Sequence, residues 1–127
     1  MRLVLVRHAE AAPGSPDELR ALTLEGHDQA RRLGERLRAD GIEPHAVLSS
    51  PLLRARETAS ELGFGPPEPV DELAPGATEQ DVRAALAGRV GTVVVVGHQP
   101  DCGRIAAALS GGEEPAFPPA GAQIIEL

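Results

Sequence analysis

Short apolar runs alternate along this chain with longer segments whose apolar residues recur at helical spacing. The apolar runs predict strands at residues 2–7, 46–49, 92–96 and 123–127, and a brief edge strand at 70–73. The run at 92–96, with four consecutive valines, is the strongest strand signal. Runs that are apolar at every position favour strands buried on both faces of a sheet.

The segments between the runs predict four helices, and each carries a start or stop signal. A helix at 23–39 begins at a Thr23 cap, stops at Gly41 and has an apolar stripe of Leu24, Ala30, Leu33 and Leu37. The other three are predicted at 50–62 with Ser50 and Pro51 as cap and first turn, at 79–87 after a Thr78 cap with Asp81 in third position, and at 100–109.

Alternating strands and helices indicate an α/β protein with a largely parallel sheet covered on both faces. No repeat or low-complexity linker interrupts the pattern, and 127 residues is a common size for one domain. We therefore expect a single domain over residues 1–127. The one cysteine, Cys102, excludes an intramolecular disulfide, and we expect it to pack at the start of the fourth helix.

Charge narrows the classes of function. The net charge is −7, all 12 basic residues are arginine, and only Phe64 and Phe117 are aromatic. Nucleic-acid binding is disfavoured, because it needs a basic surface and commonly stacking platforms. The apolar runs are too short to span a membrane, and the N-terminal run is too short for a signal peptide, so we expect a cytoplasmic protein with no membrane contact.

Candidate chemistry gathers where the predicted strands end. Arg7 and His8 follow the first strand, Ser49 and Ser50 follow the second with Arg54 just beyond, and His98 follows the valine strand. Ligands of open α/β sheets bind at the carboxyl ends of strands. Arginine forks match phosphate oxygens, a neutral imidazole attacks phosphorus, and a second, protonated imidazole stabilises the oxygens as they gain charge. These residues predict a phosphate pocket with a histidine nucleophile.

Four blocks of sequence, in order, resemble the signatures of the histidine phosphatase superfamily. They are Leu5-Val6-Arg7-His8-Ala9-Glu10-Ala11, Leu22-Thr23-Leu24-Glu25-Gly26, Leu48-Ser49-Ser50-Pro51-Leu52-Leu53-Arg54-Ala55-Arg56-Glu57-Thr58-Ala59 and Val95-Val96-Gly97-His98-Gln99-Pro100. Within the superfamily, the short Arg-His-Ala-Glu-Ala form resembles the SixA-type phosphohistidine phosphatases. The resemblance spans nearly the whole chain.

The resemblance implies a phosphoglycerate mutase-like fold, a three-layer α/β/α sandwich around a mixed, mostly parallel sheet. It implies that His8 is the nucleophile that becomes phosphorylated, that Arg7 and Arg54 bind the phosphoryl group and that His98 completes the pocket. It also implies a reaction with no metal and no cofactor. Arg20 with Asp17 matches a recurring SixA-type stretch, so Arg20 is a candidate for flanking the substrate groove.

One departure from the superfamily pattern bears on the substrate. Most members carry a general-acid carboxylate two residues after a leucine, and here Leu73 is followed by Ala74 and Pro75. Glu72, just before that leucine, is the nearest substitute, although Asp71 or Glu10 could also reach the site. An alcohol leaving group has a high pKa and benefits strongly from such an acid, whereas the leaving imidazole of phosphohistidine can already be protonated on its other ring nitrogen.

These observations favour a phosphatase that forms a phosphohistidine intermediate and acts on the phosphohistidine of a signalling or carrier protein. Two alternatives stay open. One is a broader phosphatase for small phosphorylated metabolites, either esters or anhydrides. The other is a phosphate-binding module without catalysis. His27 and His45 have no motif around them and are expected at the surface.

Overall fold

The computed structural model describes all 127 residues and contains five strands and four α-helices. The strands are β1 (Arg2–Arg7), β2 (Ala46–Ser49), β3 (Glu68–Pro69), β4 (Thr92–Gly97) and β5 (Ala122–Glu126). The helices are α1 (Leu24–Ala39), α2 (Leu53–Glu61), α3 (Glu79–Leu86) and α4 (Asp101–Ser110). Two single turns of 3₁₀-helix lie at Asp17–Leu19 and Asp71–Leu73.

The sheet has the strand order β3-β2-β4-β1-β5, with β5 antiparallel to β1 and every other neighbouring pair parallel. Alternate residues of each strand enter two separate cores. Val4 and Val6 face the core with α1 and α2, while Leu3 and Leu5 face the core with α3 and α4. The expected three-layer α/β/α sandwich on a mostly parallel mixed sheet is confirmed.

Most helix boundaries follow the caps seen in the sequence. The Thr23 hydroxyl accepts the Gly26 N–H at the start of α1, and Thr78 and Asp81 form a reciprocal capping box at the start of α3. Leu24, predicted on the buried stripe of α1, is instead 90% exposed. The buried stripe of α1 starts at Gly26, which packs so closely on the backbone of Glu10 that a Cβ there would overlap the Glu10 carbonyl oxygen. Leu24 precedes this contact and is not covered by it.

Two other boundaries differ from the prediction. The edge strand is Glu68–Pro69 rather than residues 70–73, because the chain turns at Asp71–Leu73 and buries Leu73 in the core. Helix α2 begins at Leu53 and not at Ser50 and Pro51. The Ser50 N–H bonds to the Val96 carbonyl, so this residue continues the line of the sheet and does not cap the helix.

The register of the sheet sets the place of the functional side chains. In β1, Arg7 pairs with Gly97 of β4, and in β2, Ser49 pairs with Val96. Strand β4 therefore lies between β1 and β2, and the residues after these three parallel strands meet at one edge. No helix is long and apolar enough to cross a lipid bilayer.

Candidate active site

His8 follows β1 and lies half-buried, with its ring already oriented by the backbone. Its Nδ1 is 2.7 Å from the carbonyl oxygen of Ala9. A carbonyl only accepts, so Nδ1 carries the proton and Nε2 keeps a free lone pair. Burial lowers the pKa of His8, outweighing its bond to Ala9, and the charges of Arg54 and Arg7 lower it further. The ring is therefore neutral near pH 7, as a nucleophile must be.

His98 follows β4 and is almost fully buried at 4% exposure. Its ring centroid lies 5.2 Å from that of His8, and its Nε2 lies 2.8 Å from the hydroxyl oxygen of Ser50. Burial lowers the pKa of His98 to about 3, and the charges of His8 and Arg54 contribute. The side chains alone thus hold His98 neutral near pH 7, which differs from the protonated imidazole expected from sequence.

Two arginines complete the cluster predicted from the strand ends. Arg7 Nη1 donates to the carbonyl of Phe117 at 3.0 Å, which fixes the guanidinium of Arg7 against the chain before β5. Arg54, in the first turn of α2, is buried at 6% exposure. Its Nη1 donates to the carbonyl of Asp17 at 2.9 Å, and its Nη2 donates to the Asp17 carboxylate at 3.1 Å. Both guanidinium groups lie near enough to the two imidazoles for their charges to lower the pKa of His8 and of His98.

Unpaired polar atoms concentrate at this site. Only four buried side-chain nitrogen or oxygen atoms in the protein lack a hydrogen-bond partner: Arg7 Nε, Arg54 Nε, His98 Nδ1 and Ser49 Oγ. Buried polar atoms are nearly always paired, so unpaired ones need an explanation. The two guanidinium nitrogens are donors. Arg7, Ser49 and His98 lie at the ends of β1, β2 and β4, and Arg54 lies in the first turn of α2. This arrangement suits an oxyanion whose oxygens accept from several donors at once.

Glu72 is the one predicted site residue that the structure does not join to the cluster. Its side chain is exposed, makes no hydrogen bond or ion pair, and lines a surface groove against α3 that also includes Asp81 and Arg89. Glu10 and Asp71 are exposed as well, and the Glu10 carboxylate accepts from the Thr23 hydroxyl at 3.1 Å. None of these three carboxylates touches either imidazole.

Asp17 is the carboxylate in contact with the cluster. The sequence singled out Arg20 with Asp17 as a possible flank of the groove, and the structure shows Arg20 Nη1 bonded to this carboxylate at 3.1 Å, opposite Arg54. Hydrogen bonds from Arg20 and then Arg54 hold the pKa of Asp17 below its usual value. Asp17 is therefore ionised near pH 7 and orients Arg54 instead of supplying a proton.

Sequence reasoning missed one buried residue near the site, Asp101, and one contact, that of Ser50 with His98. Asp101 begins α4, and its carboxylate accepts the N–H of Gly76 at 2.7 Å, which ties the loop containing Pro75 to the start of that helix. Ser50 was assigned only a capping role, but its hydroxyl contacts His98. The position of Asp101 at a helix start was visible in the sequence, whereas the contact between Ser50 and His98 joins residues 48 apart and had no local signal.

The remaining candidates have structural surroundings. Cys102 is buried beside the Val6 carbonyl, and burial raises the pKa of its thiol to about 12, so it packs as expected and is no nucleophile. His45 is exposed, and His27 is partly exposed beside Glu57 and Glu61. No group of three or more His, Cys, Asp or Glu side chains is arranged to hold a metal ion.

Comparison with known proteins agrees with the fold and shows the family. The family profile of the histidine phosphatase superfamily (branch 1) matches residues 3–84. The chain therefore belongs to this superfamily and is a histidine phosphatase. Phosphohistidine phosphatase SixA of Escherichia coli (strain K12) is 33% identical to it over 125 residues, which cover 91% of this chain and 78% of that protein.

Solved structures extend the similarity to three dimensions. The structure of the protein histidine phosphatase SixA complexed with tungstate superimposes with a TM-score of 0.91 at 32% identity, covering 100% of this chain and 88% of the other. The crystal structure assigned to SixA from Agrobacterium tumefaciens superimposes with a TM-score of 0.83 at 27% identity, covering 97% and 89%. The phosphoglycerate mutase-like fold expected from sequence is thus confirmed.

Replacing Arg54 with alanine is expected to weaken phosphate binding about 10- to 100-fold, because charge-assisted hydrogen bonds from a buried guanidinium are lost. Titration calorimetry with inorganic phosphate, in buffer containing a chelator, measures the change. Arg56→Ala is the matched control, since Arg56 lies on the same helix and bonds only to the Pro51 carbonyl. Equal binding by wild type and Arg54→Ala would place the anion elsewhere.

Proposed function

We propose that this histidine phosphatase removes the phosphoryl group from phosphohistidine of a signalling or carrier protein, by way of a phosphohistidine formed on His8. The observation that carries the proposal is the protonation pattern of the site. His8 is neutral with its proton on Nδ1, and no carboxylic acid at the site is free to protonate a leaving group. The name of the Escherichia coli relative supports the same substrate.

The first step uses the free lone pair of His8. Nε2 attacks phosphorus, and the bond between phosphorus and the substrate's ring nitrogen breaks. The departing imidazole carries a proton on its other nitrogen, so it leaves as a neutral ring. Because Nδ1 of His8 donates to the Ala9 carbonyl, the positive charge that develops on the His8 ring is stabilised as the new bond forms.

The second step returns the enzyme to its starting state. Water attacks the phosphorus of phosphorylated His8, and the bond to Nε2 breaks with its electron pair returning to the ring. The water oxygen and both its protons leave as dihydrogen phosphate, and His8 is again neutral with its proton on Nδ1. Arg7 and Arg54 face the phosphoryl oxygens in both steps. The His98 ring lies beside the His8 ring, with 5.2 Å between the two ring centroids.

We infer a preference for phosphohistidine over phosphoesters because no carboxylate is placed to protonate a leaving group. Asp17 is ionised between two arginines, Glu72 is directed to the surface groove beside α3, and Asp101 accepts from Gly76. Pro75 occupies the position at which the superfamily pattern places its acid. An alkoxide leaving group needs a positioned acid, whereas a phosphohistidine ring does not. A protein partner and a cytoplasmic location are parts of this proposal, and a small phosphorylated metabolite is the alternative substrate.

The test compares phosphate release from a phosphohistidine-containing carrier domain with release from a panel of small phosphoesters and anhydrides. We expect the carrier domain to be dephosphorylated with the highest kcat/KM. Comparable or higher rates on small metabolites would favour the broader phosphatase. Phosphate binding with no turnover of any substrate would indicate a binding module. The same carrier domain phosphorylated on serine controls for recognition of the protein surface.

A further inference from the structure

Ser50 is fully buried between β2 and α2, and its hydroxyl has two neighbours. The oxygen lies 2.8 Å from Nε2 of His98 and accepts the N–H of Leu52 at 3.2 Å. The Ser50 N–H is itself bonded to the Val96 carbonyl at 3.0 Å. The serine is thus fixed by backbone bonds on both sides, and its hydroxyl contacts only one ring.

The hydrogen-bonding capacity of the pair decides where the proton of neutral His98 lies. If Nε2 carried it, Nε2 would donate to Ser50 Oγ, and the Ser50 O–H and the lone pair on His98 Nδ1 would both be buried without a partner. If Nδ1 carries it, the Ser50 O–H donates to Nε2, and only the Nδ1 proton is unpaired. The second arrangement leaves fewer buried groups unsatisfied and is the favoured one.

We propose that Ser50 is a positioning residue that fixes the tautomer of His98, with the proton on Nδ1, so that this nitrogen donates a hydrogen bond to a phosphoryl oxygen. His98 then acts through a neutral N–H, in line with the low pKa of about 3 that burial gives this ring. The unpaired Nδ1 proton joins the unpaired Nε–H groups of Arg7 and Arg54 as a third buried donor. The phosphoryl role rests on the proposed function, but the tautomer does not.

The two imidazoles then carry their protons on the same ring nitrogen. His8 also carries its proton on Nδ1, where the Ala9 carbonyl accepts it. In His8 this leaves Nε2 as the free nucleophile, and in His98 it leaves Nδ1–H as the free donor. An Nε2–H tautomer of His98 would instead present a lone pair to the phosphoryl oxygens and repel them. Fixing the tautomer therefore matters for rate, although Ser50 contacts no reacting atom.

Long-range ¹H–¹⁵N NMR of the imidazole rings tests the assignment directly, because protonated and unprotonated ring nitrogens resonate far apart. The signals of His98 are assigned as those that vanish in a His98→Gln variant. We expect Nε2 to be the unprotonated nitrogen in the wild type and a shift toward Nε2–H in Ser50→Ala. Ser49→Ala, which removes an equally buried hydroxyl with no bond to His98, should leave the His98 pattern unchanged.

Activity gives a second readout. We expect kcat on a phosphohistidine substrate to fall about tenfold in Ser50→Ala, the loss that follows from one weakened hydrogen bond, and to recover in Ser50→Thr. A wild-type spectrum with the proton on Nε2, or a Ser50→Ala spectrum identical to wild type, would overturn the inference even if the enzyme is fully active. An inactive wild type with the expected spectrum would overturn the proposed function and leave the tautomer assignment standing. The wild-type spectrum decides the matter if Ser50→Ala does not fold.

Discussion

Replacing His8 with alanine is expected to abolish phosphate release, with a loss of at least about 10³-fold in kcat, because no other side chain at the site can form the covalent intermediate. Cys102 is a buried, protonated thiol, and His98 is held by Ser50. The fold should survive, since His8 lies in the loop after β1 and the only side-chain hydrogen bond it makes is to the adjacent residue. Steady-state rates and thermal unfolding of the same preparations measure both effects.

A phosphoenzyme trap makes this test specific. Acid-labile, base-stable radioactive phosphate should appear on the wild type and be absent from His8→Ala. His27→Ala is the matched control, since His27 lies on α1 beside Glu57 and Glu61 and away from the strand ends. If His8→Ala kept more than a few per cent of the wild-type rate, the nucleophile would be another residue.

The pH dependence of the same reaction follows from the lowered pKa of His8. The nucleophile is active when neutral, so kcat/KM falls only as the pH drops through the pKa of His8. Because that pKa lies below the ordinary value of about 6.5, we expect activity to persist at pH values where a free histidine is mostly protonated. The acid limb of the profile measures it, and a limb above 6.5 would contradict the assignment.

The fold could be predicted from sequence where local signals agree with burial. Helix α1 has a Thr23 cap and a periodic apolar face, and its bounds were predicted correctly. Leu24 was misplaced because periodicity gives a helix face but not the point where another chain segment meets it. That contact is made by the backbone of Glu10 against Gly26. The start of α2 was misplaced because Ser50 and Pro51 resemble a cap, while Ser50 belongs to the sheet edge.

The active site likewise has features that could be predicted from sequence and features that could not. The sequence predicted the meeting of Arg7, His8, Arg54 and His98, since parallel strands bring their carboxyl ends to one edge. It could not predict the partners of these residues. Asp17 contacts Arg54 across 37 positions, and Asp101 contacts Gly76 across 25. Each of these contacts joins the start of a helix, α2 or α4, to a segment that is distant in sequence, and no spacing rule in the sequence encodes it.

The rate of the reaction should depend steeply on the leaving group, because the site offers no free proton donor. A positioned general acid contributes about 10²–10⁴-fold to breaking a bond to a poor leaving group. We therefore expect phosphohistidine to be preferred over simple alkyl phosphates by at least about 10²-fold in kcat/KM, with aryl phosphates of low leaving-group pKa between the two. A plot of log kcat/KM against leaving-group pKa for a series of aryl and alkyl phosphates measures the slope.

Two isosteric variants show whether a carboxylate contributes to that slope. Glu72→Gln removes the acid nearest in sequence to the superfamily position, and Asp101→Asn keeps an oxygen that can accept from Gly76 while removing the carboxylate. We expect the slope to be unchanged in both variants, because Glu72 lies in the groove beside α3 and Asp101 is engaged with the loop. A flat dependence in the wild type that becomes steep in Glu72→Gln would show that Glu72 supplies the proton and that the pocket accepts ordinary phosphoesters. The same change in Asp101→Asn would assign the proton to Asp101 instead.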